Sequence, residues 1–128
     1  MTSAATAGFV STLTQLIVIK KTKPDLNMYG LIGKITAKTD QRDDLIKILL
    51  EGTADMPDCL SYIISKDPEN EDTIWVTEVW DSKESHKASL SLPSVQEAIN
   101  KGRPLIAEFG EQTETEPIGG HGLISEEI

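Results

Sequence analysis

Apolar and polar residues alternate most clearly over residues 73–80, TIWVTEVW. The β-branched and aromatic residues crowded there favour an extended, pleated surface. A period of two puts Ile74, Val76, Glu78 and Trp80 on one face, and Trp75, Thr77 and Val79 on the other. A carboxylate thus shares a mostly apolar face with an indole. Such a carboxylate needs a partner or a function, because an unpaired buried charge is costly. Asp81-Ser82 then offers a helix cap, and a short polar helix is expected to about residue 89.

The same reading orders the rest of the chain. Residues 29–39, YGLIGKITAKT, alternate as a first strand. Gly30 and Gly33 weaken it, so they call for a reason: close approach of a ligand or another backbone, or a bulge. Residues 40–51 predict a helix with Asp40 as its cap, an apolar stripe of Leu45, Ile48 and Leu49, and Gly52 closing it. Cys59–Lys66 reads as a second strand, with Leu60, Tyr62 and Ile64 on one face. The charged loop DPENED joins it to the strand over 73–80 as a hairpin. Pro93 opens a further helix with a capping box over residues 94–97 and a stripe of Val95, Ala98 and Ile99. Gly102 and Pro104 interrupt it, residues 105–109 continue it or form a loop, and residues 110–117, GEQTETEP, read as an exposed edge strand. The order β-α-β-β-α-β is that of an α+β, ferredoxin-like subunit: a four-stranded antiparallel sheet with helices on one face. The other face is expected to carry two or more large aromatic side chains. A second copy packed sheet to sheet, as a homodimer, would cover it.

Composition narrows the partners. The 128 residues suit one domain, residues 28–118, with an N-terminal extension over 1–27 and a flexible glycine-bearing tail over 119–128. The extension carries three lysines and one aspartate, and its apolar run 9–19 is too short and wrongly flanked for a secretory signal. It is read as a tail packing on its own domain or a partner; Met28 is an alternative start. A net charge of −9 argues against nucleic acid and against anionic membranes, and favours a neutral or weakly charged substrate. One cysteine and two histidines do not support a disulfide framework or a protein-only metal site. Lacking a run of about 18 apolar residues, the chain is placed in the cytoplasm.

Cys59-Leu60-Ser61-Tyr62, the Asp67-Pro68 turn, Glu78-Val79-Trp80 with Ser82 beyond it, and Ser91-Leu92-Pro93 together resemble the antibiotic biosynthesis monooxygenase (ABM) domain, a family that includes small quinol monooxygenases. The resemblance runs from about residue 29 to 117. It implies a dimeric α+β barrel with a pocket between sheet and helices in each subunit. It also implies oxygenation of a small electron-rich aromatic, a phenol, anthrone or quinol, without metal or flavin. Two histidines common in the family, nine residues after the tryptophan and just after the proline, correspond here to Ser89 and Ser94. His86 lies on nearly the same helical face as Ser89 and is the candidate substitute.

On that reading His86 is the catalytic base and Glu78 orients it or holds a substrate hydroxyl. Trp80 and Tyr62 wall the slot, and Ser89 and Gly33 complete the candidate substrate-binding set. Each has a plainer role. Trp80 serves as core, and Glu78 as a structural carboxylate paired with Lys34 or a backbone amide. His86 sits in solvent on a Lys- and Ser-rich helix, and Tyr62 packs with its hydroxyl on the rim. Alternatives to the monooxygenase are an isomerase or a haem-degrading enzyme on the same scaffold, and a non-catalytic dimeric ligand-binding module.

Overall fold

A computed structural model describes residues 27–123; the expectations for residues 1–26 and 124–128 lie outside the described residues. The elements are β1 (Tyr29–Ala37), α1 (Arg42–Gly52), β2 (Cys59–Lys66), β3 (Thr73–Trp80), α2 (Lys83–Ser89), α3 (Pro93–Gly102), a single 3-10 turn (Arg103–Leu105) and β4 (Ile106–Thr115). The strands form one antiparallel sheet in the order β2-β3-β1-β4. This is the ferredoxin-like α+β arrangement, and the alternation of β3 decides how it is filled. Ile74, Val76 and Trp80 are buried, whereas Trp75, Thr77 and Val79 are only partly covered. Leu45 of α1 packs on Ile74, Val76 and Ala37 in one core cluster. Tyr29, Leu31 and Trp80 form a second, with Met56 and Cys59 packed against it.

Two local devices fix the helices. Gly52 lies against Ala98, where a Cβ would overlap the alanine methyl, so α1 and α3 approach closely. Arg42 places one guanidinium nitrogen on three carbonyls of the β2–β3 connection, those of Asp67 (3.3 Å), Asn70 (2.9 Å) and Thr73 (3.2 Å). Inside that connection the Asp67 carboxylate accepts from the backbone of Glu69 and Asn70 and from Trp75 Nε1. The indole bond, above all, holds this carboxyl below its usual range.

Several expectations need correction. Asp40 is not the cap of α1: it turns the chain with φ 65°, a left-handed conformation that aspartate tolerates, and Gln41 precedes the helix. Gly52 is the last helical residue, and Thr53 closes the helix by donating to the Leu49 carbonyl. The capping box at residues 94–97 does not form. Leu92 is the cap and Pro93, whose nitrogen has no hydrogen to leave unpaired, takes the first helical position. Ser82 does cap α2, accepting from the Ser85 amide. Residues 106–109 belong to β4, because the 3-10 turn already ends α3 and Ile106 pairs with Ala37. Leu60 does not share a face with Tyr62: the β2–β3 register slips between Cys59 and Ser61, and Leu60 is turned outward at 39% exposure. Among the described residues the helix-free face holds one large aromatic, Trp75, with aliphatic residues that include Ile32 and Ile63.

Candidate active site

The two core clusters leave a cavity of about 720 Å³ between sheet and helices. Its walls are largely apolar, and its polar groups gather where β1 begins. Leu31 is the register partner of both Glu78 on β3 and Glu114 on β4, so the central strand carries a carboxylate on each side.

The E-x-W spacing of β3 lays Glu78 and Trp80 side by side, and Trp80 Nε1 donates to Glu78 Oε1 at 2.9 Å. The same oxygen lies 3.7 Å from His86 Nε2. That is beyond a hydrogen bond and becomes an ion pair only with a protonated imidazole. Burial raises the Glu78 carboxyl above its ordinary value, with the Trp80 bond and His86 opposing the rise. His86 stands edge-on to Trp80, ring centres 5.5 Å apart, and tilted over Tyr29 at 5.3 Å. Its side chain is 20% exposed, so the solvent-facing placement is overturned: the capped start of α2 turns His86 inward onto the two aromatics. Among the described residues Glu78 pairs with neither Lys34 nor a backbone amide. Lys34 instead reaches over the Trp75 ring on the opposite face.

All six sequence-derived site residues line this cavity: His86, Glu78, Trp80, Tyr62, Ser89 and Gly33. Burial, then the neighbouring Glu78, pushes the Tyr62 phenol upward, which keeps it a proton donor. Ser89 is buried, and its hydroxyl donates to the His86 carbonyl at 2.6 Å. Its side chain is thus committed to the helix it sits on. Gly33 faces Gln112, and the β1–β4 register slips just after it, so the bulge expectation is met and the close neighbour is a side chain of β4. Ser94 lies outside the cavity, in a shallow groove between α1 and α3.

Sequence reasoning missed Tyr29, Lys83 and Glu114. The Tyr29 hydroxyl donates to Glu114 Oε2 at 2.9 Å, and Lys83 Nζ lies 3.3 Å from the same oxygen. Lys83 also sits 5.7 Å above the Tyr29 ring. Burial and this bond push the Tyr29 phenol up to about 12, so it is not a base near neutrality. The i, i+3 spacing of Lys83 and His86 was a usable signal. The β1–β4 register that delivers Glu114 was not written in any local pattern. Among the described residues no cluster of three or more His, Cys, Asp or Glu side chains is arranged to hold a metal, and no helix is long and apolar enough to cross a membrane.

The antibiotic biosynthesis monooxygenase family model matches residues 28–101. The chain belongs to this family. A solved structure from Chloroflexus aurantiacus J-10-fl, provisionally named an antibiotic biosynthesis monooxygenase, is 66% identical over 75% of this chain and 98% of its own, with a TM-score of 0.73. Two provisionally named family structures share the fold at lower identity. That from Caulobacter crescentus CB15 is 17% identical over 73% of this chain and 92% of its own, TM-score 0.67. That from Deinococcus radiodurans is 24% identical over 72% and 94%, TM-score 0.61. No curated protein matches the chain.

Proposed function

We propose that this ABM-family protein is a cofactor-independent monooxygenase of a small electron-rich aromatic, quinol- or anthrone-like, acting with O₂ in the cavity between sheet and helices. The observation that carries the reading is the Glu78–Trp80–His86 cluster at one end of a largely apolar cavity. A phenol bound there loses its proton to His86, with Glu78 holding the imidazole or a second hydroxyl. The anion passes one electron to O₂, and the ring radical and superoxide recombine at carbon. Loss of water leaves one oxygen atom as a new carbonyl or hydroxyl-quinone oxygen. The substrate supplies all four electrons that O₂ accepts. Tyr62, kept protonated, donates to the substrate oxyanion.

The test is oxygen uptake with quinols and anthrones in metal-free buffer. Wild type should exceed autoxidation, and His86→Ala should lose roughly 10²-fold or more of the excess, the usual contribution of a positioned base. Uptake no faster than autoxidation across the panel would end the oxygenase reading. A non-catalytic ligand-binding module is the second reading, favoured by Ser89, which stands at a family histidine position with its hydroxyl bound to backbone.

We also propose that the helix-free sheet face packs on a second copy. Ile32 (37% exposed), Ile63 (53%) and Leu60 (39%) leave it apolar, and burial against an identical face is the simplest cover.

A further inference from the structure

The cavity has direction as well as volume. At one end Glu78 and Glu114 flank Leu31; at the other, Ile35 pairs with Phe109, beside Ile106 and the Arg103 turn. On β1 the lining runs from Tyr29 to Ile35, and from Leu31 to Ile35 the strand advances roughly 13 Å, at about 3.3 Å per residue. Val76 lines the stretch between. Of the cavity's cationic side chains, Lys34 turns its ammonium to Trp75 on the opposite face. Arg103 lies exposed at the rim and has no ion pair among the described residues. On a chain of net charge −9, a guanidinium at the rim of a largely apolar cavity offers forked donors to an anion.

We infer that the cavity takes an elongated, bipolar ligand: a fused, hydroxyl-bearing aromatic whose hydroxyl meets Glu78 and His86 and whose far end carries a carboxylate bound by Arg103. This rests on reading the cavity as the substrate site and adds the substrate's shape and charge. A single ring is too short to reach both ends; a tricyclic skeleton suits the span.

The test is calorimetric binding of a dihydroxyanthraquinone carboxylate and of its methyl counterpart, identical but for the carboxylate. Both rings are already oxidised, so binding is read without turnover. Wild type should prefer the carboxylate by roughly tenfold, the scale of one charge-assisted contact. Arg103→Met should abolish the preference, and Arg103→Lys, which keeps the charge, should retain part of it. Equal affinities in wild type, or a preference intact in Arg103→Met, would overturn the inference. The preference without oxygen uptake would uphold the bipolar site and remove the oxygenase reading. Oxygen uptake without the preference would do the reverse.

Discussion

At the scale of single residues, Glu78 and Trp80 bear the most consequence. Trp80 is 1% exposed, and its truncation to alanine should cost about 3–5 kcal/mol in urea unfolding. Trp80→Phe keeps most of the volume but leaves Glu78 Oε1 without its indole donor, a loss of about 1–3 kcal/mol. Glu78 sets a pH dependence whose sign follows from its raised folded-state value. A carboxyl that binds its proton more tightly folded than unfolded adds stability below its unfolded value, and that stability is lost as pH rises through the folded one. Glu78→Gln keeps an acceptor for Trp80 and removes the buried charge. Its melting temperature should therefore gain on wild type as pH climbs from the acid range towards neutrality. A variant that instead falls behind at neutral pH would show the His86 pairing outweighing burial. That this carboxylate and indole share a face was legible in the E-x-W spacing, which needs only alternation; that they bond to each other was not, the expected partners being Lys34 or a backbone amide. Nor was the partnership of Tyr29 with Glu114, because these residues meet through a register set by two strands distant in sequence.

At the scale of elements, the helices and hairpin were legible wherever one local pattern ruled. The capped start of α2 followed from Ser82, and the stripe of α3 from Val95, Ala98 and Ile99. The misread boundaries have two causes, a local conformation that displaces the expected cap, as at Asp40 and Pro93, and a tertiary pairing that overrides a local signal, as at Ile106. The capping residues near Asp40 lost to a left-handed turn, and β4 begins early because Ala37 offers Ile106 a partner. Arg42 shows how strongly one such contact ties elements together. Arg42→Ala would leave three carbonyls of the hairpin connection without their shared donor, and stability should fall by about 1–3 kcal/mol. Faster amide exchange confined to that connection would locate the loss. Gly52→Ala should force α1 and α3 apart and cost about 1–3 kcal/mol of overpacking, visible as a lowered denaturation midpoint.

At the scale of the whole molecule, the sequence pattern specified the ferredoxin-like order, since each strand and helix was patterned separately and their succession leaves few topologies. The second copy is a matter for solution measurement. Light scattering should give twice the chain mass at micromolar concentration. Ile63→Lys, which puts a charge on the sheet face, should shift the mass towards one chain while leaving the far-UV spectrum unchanged. An unaltered dimer in that variant would move the interface elsewhere.

The two tryptophans stand on opposite sides of a single strand, each with its indole N–H given to its own carboxylate, Trp75 to Asp67 and Trp80 to Glu78. The protein therefore carries two separately placed fluorophores. With Trp75 replaced by phenylalanine, emission reports the cavity alone, and its quenching follows ligand entry and the charge on Glu78. With Trp80 replaced, emission reports the helix-free face, and a blue shift with rising protein concentration follows assembly. Occupancy and association, which most methods record together, separate here into two optical channels.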